Sequence, residues 1–409
     1  MMPTTFSQFS QRTAIYSGAG ARSLIPDLFR GFGARRVVLF SDRGLEQAGV
    51  VDMVAELFGR TTNGAGPELV GIYLDIDQDA TSSSVNQALR YAREMGADSL
   101  LAVGGGSVLD TVKGVKYALH LGIHDIREAI PSGLNLVSWP HASYIPIPHI
   151  AVPTTAGTGS EVSPIAVFFN ESMRIKANLI HPFINADMAV LDPELTVGLP
   201  PRITAFTGFD ALTHAIEALA SPRATPFTDS YALHAIRLIT KYLPEAVANG
   251  SNLEARMRML QASTMAIVAF GMSLSLVPIH NFAHAYGALF RIPHGLANAV
   301  FLPVVMESLP HLYLPRIVEY AQAFGLETGH RDPQKLLDDV IQTIRQMQQE
   351  VGLPSTFTEY NITADDLPKI VAAVVSDPTA VFFRLPPELI TAVGQKVAGL
   401  TAASAEHSA

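Results

Sequence analysis

Leu100-Leu101-Ala102-Val103-Gly104-Gly105-Gly106-Ser107 is the stretch on which the fold turns. Four consecutive apolar residues suit a buried strand, the glycines suit a turn, and from Val108 onward the apolar spacing is helical. A strand, glycine turn and helix in that order let backbone N–H groups approach a phosphate closely, while the helix N-terminus adds about half a positive charge. The alternative is a tight turn that merely needs positive φ. Working outward, residues 37–40 and 71–74 read as further strands, and residues 84–95 as a helix stopped by Gly96. This alternation is that of βα units on a parallel sheet. Asp42 follows the first of these strands, where a carboxylate can accept from ribose hydroxyls and repel a 2′-phosphate; a surface turn residue is the other reading.

From Asp192-Pro193-Glu194 onward, β-branched clusters thin out and long helical periods take over. The boundary is placed near residue 197, giving an α/β domain over 1–197 and an all-helical domain over 198–409, with no low-complexity linker between them. The apolar run 259–279 is interrupted by Gln261, Ser263, Thr264, Ser273, Ser275 and Pro278, so it is read as a buried helix and not a membrane span.

Only 16% of the 409 residues are charged and 48% are hydrophobic, whereas soluble domains average about 25% charged. That surplus belongs in a core or a subunit contact, so a homodimer or larger homo-oligomer is expected. With 28 Lys+Arg against 37 Asp+Glu, the net charge is −9 and no basic run is present to draw a nucleic acid. The absence of cysteine excludes disulfides, thiolate metal sites and thiol nucleophiles. Residues 1–13 are polar and lack the order of a signal peptide, which predicts a cytoplasmic protein.

Chemistry must therefore come from oxygen and imidazole. Asp110, Thr111 and Lys113 place polar groups on the first turns after the glycines. Pro153-Thr154-Thr155-Ala156-Gly157-Thr158-Gly159-Ser160-Glu161 concentrates hydroxyls and small residues in one loop, which suits a phosphate or ribose. Asp210 and His214 stand four apart, one turn above each other on a helix face. His280 and His284 repeat that spacing, and His294 follows Pro293. One carboxylate with two or three imidazoles suits Fe²⁺ or Zn²⁺, whereas Mg²⁺ or Ca²⁺ would want more oxygen. With Asp210, His214, His280 and His294 as ligands, a further position remains for a substrate oxygen. His284 is then free to move a proton; a packing histidine is the alternative.

Taken together, Gly104–Ser107 with Asp110 and Lys113, the 153–161 loop, Asp192-Pro193-Glu194, Asp210 to His214, and His280 through His294 resemble the iron-containing, or group III, alcohol dehydrogenases over nearly the whole chain. The resemblance implies a Rossmann-like dinucleotide-binding α/β domain, an all-helical metal-binding domain, and a cleft between them that holds nicotinamide beside a divalent metal. Carried over by position, it makes Asp210, His214, His280 and His294 the ligands and His284 the nearby non-ligand histidine. Gly104, Gly105, Gly106 and Ser107 form the diphosphate turn, Asp110 is a cofactor contact on the helix that follows, Thr154, Thr155 and Thr158 line the nicotinamide side, and Lys176 contacts a ribose. Asp42 goes with NAD over NADP, and Fe²⁺ stands ahead of Zn²⁺.

The implied activity is reversible hydride transfer between a primary alcohol and NAD⁺. Residues 377–384 lack the usual Asn-Pro-Arg, and Arg291 and Arg384 could face the cleft and bind a carboxylate, sulfonate or phosphonate tail; two ordinary surface arginines are the alternative. The rivals are a glycerol-type polyol dehydrogenase, a dehydroquinate-type synthase, and a metal-dependent hydrolase or lyase that works without nicotinamide.

Overall fold

A computed structural model describes residues 7–59 and 66–400. Its strands are β1 (Ala14–Ser17), β2 (Arg36–Phe40), β3 (Glu68–Tyr73), β4 (Ser99–Gly104), β5 (Leu134–Leu136), β6 (His149–Pro153), β7 (Ile165–Asn170), β8 (Ile175–Ile180) and β9 (Met188–Leu191). Six of them form one sheet in the order β1-β9-β6-β4-β2-β3, and every pairing in it is parallel. β4 and β6 are buried along their whole length, so they read as nearly continuous apolar runs. Successive side chains go to opposite faces. Val38, Leu100 and Ala102 pack under helices α1 (Ser82–Glu94) and α2 (Gly106–Leu121), whereas Val37, Leu39, Leu101 and Val103 pack with Ile25, Phe29 and Val54. Each of the valines, leucines, Ile25 and Phe29 contributes roughly 1.5–3 kcal/mol of burial.

The chain runs from β2 out to β3 and then returns to the far side of β2 as β4. That reversal makes the C-terminal ends of β2 and β4 a topological switch point, the crevice where open α/β sheets bind ligands. Asp42 stands at one side of it and the glycine turn at the other.

The first half also holds a feature that the alternating pattern does not predict. β5, β8 and β7 form a separate three-stranded sheet in which β7 and β8 are antiparallel. Arg174, at φ 57°, sits in the turn between them, and the hairpin carries Lys176 toward the helices. Asp192 has a structural duty: its buried carboxylate accepts from the Gly20 and Arg22 backbone N–H groups and from the Arg22 guanidinium, tying the start of the chain to the end of β9.

The C-terminal half is helical, beginning with α3 (Pro201–Ala220), α4 (Pro226–Ala248), α5 (Leu253–Met272), α6 (Pro278–Phe290) and α7 (His294–Ser308), and including α8 (Leu367–Ser376). The run 259–279, read as one helix, is divided. α5 ends on Ser273, and Pro278, which lacks the N–H an interior position needs, opens α6. α3 is buried on every side from Gly208 to Leu219, and its Phe209, Leu212 and Ile216 join Phe282 and Phe301 in one core. Arg291 ends α6 in the left-handed region at φ 58°, and Pro293 caps α7. This sharp corner folds His294 back toward α6. Gly295 permits it, since a Cβ there would stand 2.4 Å from the Phe206 carbonyl oxygen on α3.

The 153–161 loop is the seam between the halves. A Cβ on Gly157 would meet Thr207 at 2.8 Å and one on Gly159 would meet Ile267 at 2.3 Å, so only glycine lets the loop wedge against α3 and α5. Among the described residues, no helix is long and apolar enough to cross a membrane.

Candidate metal and cofactor site

A cleft of about 580 Å³ lies between the two halves. The glycine turn and the β7–β8 hairpin form one wall, and α3, α5, α6 and the start of α7 form the other. Deep in the helical wall, Asp210 Oδ1 lies 3.6 Å from His280 Nε2 and 3.5 Å from His294 Nε2, and the three ligand atoms all fall within 4.8 Å of one another. An ion bonded at about 2.1 Å in tetrahedral geometry needs its ligand atoms about 3.4 Å apart, so this spacing fits a first-row dication. His280 Nε2 is buried and has no hydrogen-bond partner. A buried imidazole nitrogen left in that condition is costly unless something binds it. His214 lies beside this set and not within it. Its ring stacks 4.5 Å from that of His280, and its Nδ1 also has no partner.

Around the triad stand groups that sequence reasoning missed. Glu217, 1% exposed, takes His280 Nδ1 at 2.5 Å on one oxygen and the Ile279 backbone N–H at 2.6 Å on the other. A carboxylate behind a ligating histidine fixes its tautomer and raises its basicity. Asn298 donates to Asp210 Oδ1 at 2.6 Å. A faint signal existed for both, because Glu217 is two helical turns beyond Asp210 and Asn298 one turn beyond His294.

The electrostatics draw positive charge to the same point. Burial alone would raise the Asp210 carboxyl, but the imidazoles of His214, His294 and His280 outweigh it and hold the group well below the usual carboxylate range. Burial likewise works to lower His280, yet Glu217 and Asp210 overcome it and raise the imidazole to about 9. His214 and His294 are dominated by burial, which lowers His214 to about 3 and His294 well below its ordinary value, with Asp210 opposing in both cases. Those two remain neutral imidazoles, the form that binds metal.

On the opposite wall the glycine turn owes its composition to close approach. None of Gly104, Gly105 and Gly106 has positive φ. A Cβ on Gly104 would meet Val108 at 2.6 Å, and one on Gly106 would meet Thr158 at 2.7 Å. Gly105, Gly106, Ser107, Thr155, Thr158 and Lys176 all line the cleft. Ser107 Oγ accepts from the Asp79 N–H at 3.0 Å, and Lys176 Nζ lies 3.4 Å from Asp79 Oδ1.

Asp110 lines the cleft too, but its carboxylate accepts from Ser160 Oγ at 2.5 Å, Lys113 Nζ at 3.2 Å and the Val167 N–H at 3.0 Å. Lys113 is itself buried, bonded to Ser160 Oγ and the Ile165 carbonyl at 2.6 Å each, and so braces the loop from behind. Three expected residues do not line the cleft. Gly104 and Thr154 are joined to each other by the Thr154 N–H and the Gly104 carbonyl at 3.0 Å, and Asp42 caps the helix after β2 by accepting from the Leu45 N–H at 2.9 Å. His284 lines the cleft one turn beyond His280. Arg291 does as well, its guanidinium 4.8 Å from the Phe169 ring centre, whereas Arg384 is exposed and not among the lining residues.

The likeness to known proteins is extensive. The family model described as iron-containing alcohol dehydrogenase matches residues 12–193, and that of the Fe-containing alcohol dehydrogenase family, C-terminal, matches residues 204–387. Long-chain-alcohol dehydrogenase 1 of Geobacillus thermodenitrificans (strain NG80-2) is 34% identical over 352 residues, 86% of either chain. The solved structure of a 1,3-propanediol oxidoreductase superposes with a TM-score of 0.87 at 30% identity, over 96% of this chain and 100% of that one. Sulfoacetaldehyde reductase from Bifidobacterium kashiwanohense, in complex with NAD⁺, gives 0.82 at 26% identity over 96% and 99%. This chain belongs to the iron-containing alcohol dehydrogenase family, and it is a metal-dependent, NAD-linked oxidoreductase of alcohols and aldehydes.

Proposed function

We propose that the cleft interconverts a primary alcohol and its aldehyde, with the balance RCH₂OH + NAD⁺ giving RCHO + NADH + H⁺. The observation that carries this reading is the convergence of Asp210, His280 and His294 on one point of a cleft whose other wall is the glycine turn. Those three, joined by His214 from beside them, would hold a dication, Fe²⁺ ahead of Zn²⁺. When bound, the ion supplies Lewis-acid polarisation of a substrate oxygen, and the nicotinamide supplies the hydride acceptor.

The chain's own residues orient and protect. Gly105, Gly106 and Ser107 offer backbone N–H groups and a hydroxyl to the diphosphate, with Gly104 and Thr154 locking the strand ends beneath them. Asp110 braces the loop that carries Thr155 and Thr158. Lys176, on the cleft wall, takes a position suited to a ribose, whereas Asp42 stands outside the cleft as the cap of the helix after β2. Phe270, within 4.9 Å of the His280 ring, keeps water from the reacting end. His284 carries the alcohol proton away toward solvent.

Glu217→Gln keeps the shape of the side chain and removes the charge behind His280. It is expected to weaken metal affinity by about 10–100-fold, read by competition with a chromogenic chelator, with the unfolding midpoint of the metal-free protein nearly unchanged.

Arg291 supports an anionic tail on the substrate. It lines the cleft with its guanidinium over the Phe169 ring, and one structural relative is named for reducing a sulfonated aldehyde. The test is NADH oxidation with propanal, 4-oxobutanoate and sulfoacetaldehyde by the Fe²⁺- and Zn²⁺-loaded protein and its Arg291→Ala variant. Turnover of an aldehyde supports the reading, and none across the panel overturns it. A rise in KM of about tenfold confined to the anionic aldehydes supports the role of Arg291, and equal KM values remove it.

A further inference from the structure

Asp377 faces His284 from outside its own helix and has no part in the chemistry described so far. His284 Nδ1 lies 3.5 Å from Asp377 Oδ1, and the two side chains are 8% and 6% exposed. That nitrogen is buried and has no hydrogen-bond partner. The separation is long for a hydrogen bond, as catalytic contacts commonly are before a substrate closes the site.

Asp377 is also the residue on which the neighbouring cleft wall turns. It follows α8 and caps the short 3₁₀ turn Pro378–Phe382, accepting from the Thr379 N–H at 2.9 Å and from the Thr379 hydroxyl. Pro378, Thr379 and Phe382 of that turn line the cleft. α8 is pinned to α6 by Asn281, one turn before His284, which donates to the Val374 carbonyl at 3.0 Å. Burial would raise the Asp377 carboxyl, but His284 and Thr379 outweigh it and hold the group below its ordinary value. It is therefore a carboxylate, an acceptor only.

We propose that Asp377 is the positioning residue for His284: by accepting the Nδ1 proton it fixes the tautomer and ring angle that present an unprotonated Nε2 to the cleft, and by capping the 378–382 turn it couples that orientation to the cleft wall. The inference rests on the reading of His284 as the proton carrier. It does not depend on which metal is bound, because Asp377 contacts His284 and not the Asp210, His280 and His294 set.

The experiment is a double-mutant cycle on the metal-loaded enzyme, with 1-propanol and NAD⁺ as probes. Asp377→Ser keeps a capping hydroxyl but is too short to reach His284. Asp377→Asn keeps both the cap and an acceptor oxygen. Asp377→Ser is expected to lower kcat by about 10–100-fold with the KM for NAD⁺ within twofold and metal content unchanged, while Asp377→Asn recovers part of the loss. In a His284→Ala background, Asp377→Ser is expected to change kcat by less than about twofold, since the two act as a unit. A full-rate Asp377→Ser enzyme, or the same fold-loss in both backgrounds, overturns the positioning role and leaves His284 as the proton carrier. A His284→Ala enzyme at full rate overturns both.

Discussion

Asp210→Asn is expected to leave the protein folded, nearly free of metal and at least about 10³-fold less active, a loss of about 4 kcal/mol in transition-state stabilisation. The change is isosteric and the residue is 2% exposed in a tightly packed helix, so shape is retained and charge alone is removed. The carboxylate is the only anion among the three atoms that converge on the ion position, and its loss leaves an all-neutral set. Asn298, which donates to it at 2.6 Å, would then face an amide that competes for the same geometry. Metal content by plasma emission spectroscopy, with kcat measured after loading in excess Fe²⁺ or Zn²⁺, decides the matter. A variant that retained one equivalent of metal and wild-type turnover would show that the ion sits elsewhere.

Gly106→Val should separate the two walls of the cleft. The added Cβ would stand 2.7 Å from Thr158 Cγ2, closer than side chains approach one another, so either the 153–161 loop moves off the turn or the turn moves off the loop. In both cases the seat for a diphosphate is lost. The KM for NAD⁺ is expected to rise by about 100-fold or more, equivalent to about 2.7 kcal/mol, while metal content stays at the wild-type level because the triad belongs to the other wall. Gly31→Ala is the control: an added methyl there meets nothing within 4 Å, and NAD⁺ kinetics should not change. Isothermal titration with NADH checks binding directly. Equal NADH affinity in the Gly106 variant would place the dinucleotide away from this turn.

Much of this was written locally. Residues 37–40 and 100–103 are apolar without interruption because the sheet buries them on both faces, and that alone marks central parallel strands. Asp210 with His214, and His280 with His284, announce themselves because helical spacing places side chains four apart on one face. The glycine turn was legible as a close-approach site, although its spacing could not say whether φ or crowding required glycine. Crowding does: Thr158 and Val108 occupy the space of the missing side chains.

What could not be read locally depends on contacts between distant parts of the chain. Glu217 reaches His280 across 63 residues and Asn298 reaches Asp210 across 88. On a sequence, a glutamate or asparagine within a helix is indistinguishable from one on a solvated face. Asp110 looked available to a ligand until Ser160, Lys113 and Val167 were found on its oxygens. The β7–β8 hairpin and the corner at Arg291 were hidden for the same reason. Residue type and spacing determine which chemistry a helix or strand can present, because that depends on neighbours along one element. Which polar groups are spent on holding the site together, and which remain for a ligand, depends on how separate elements pack and becomes visible only once the chain is folded.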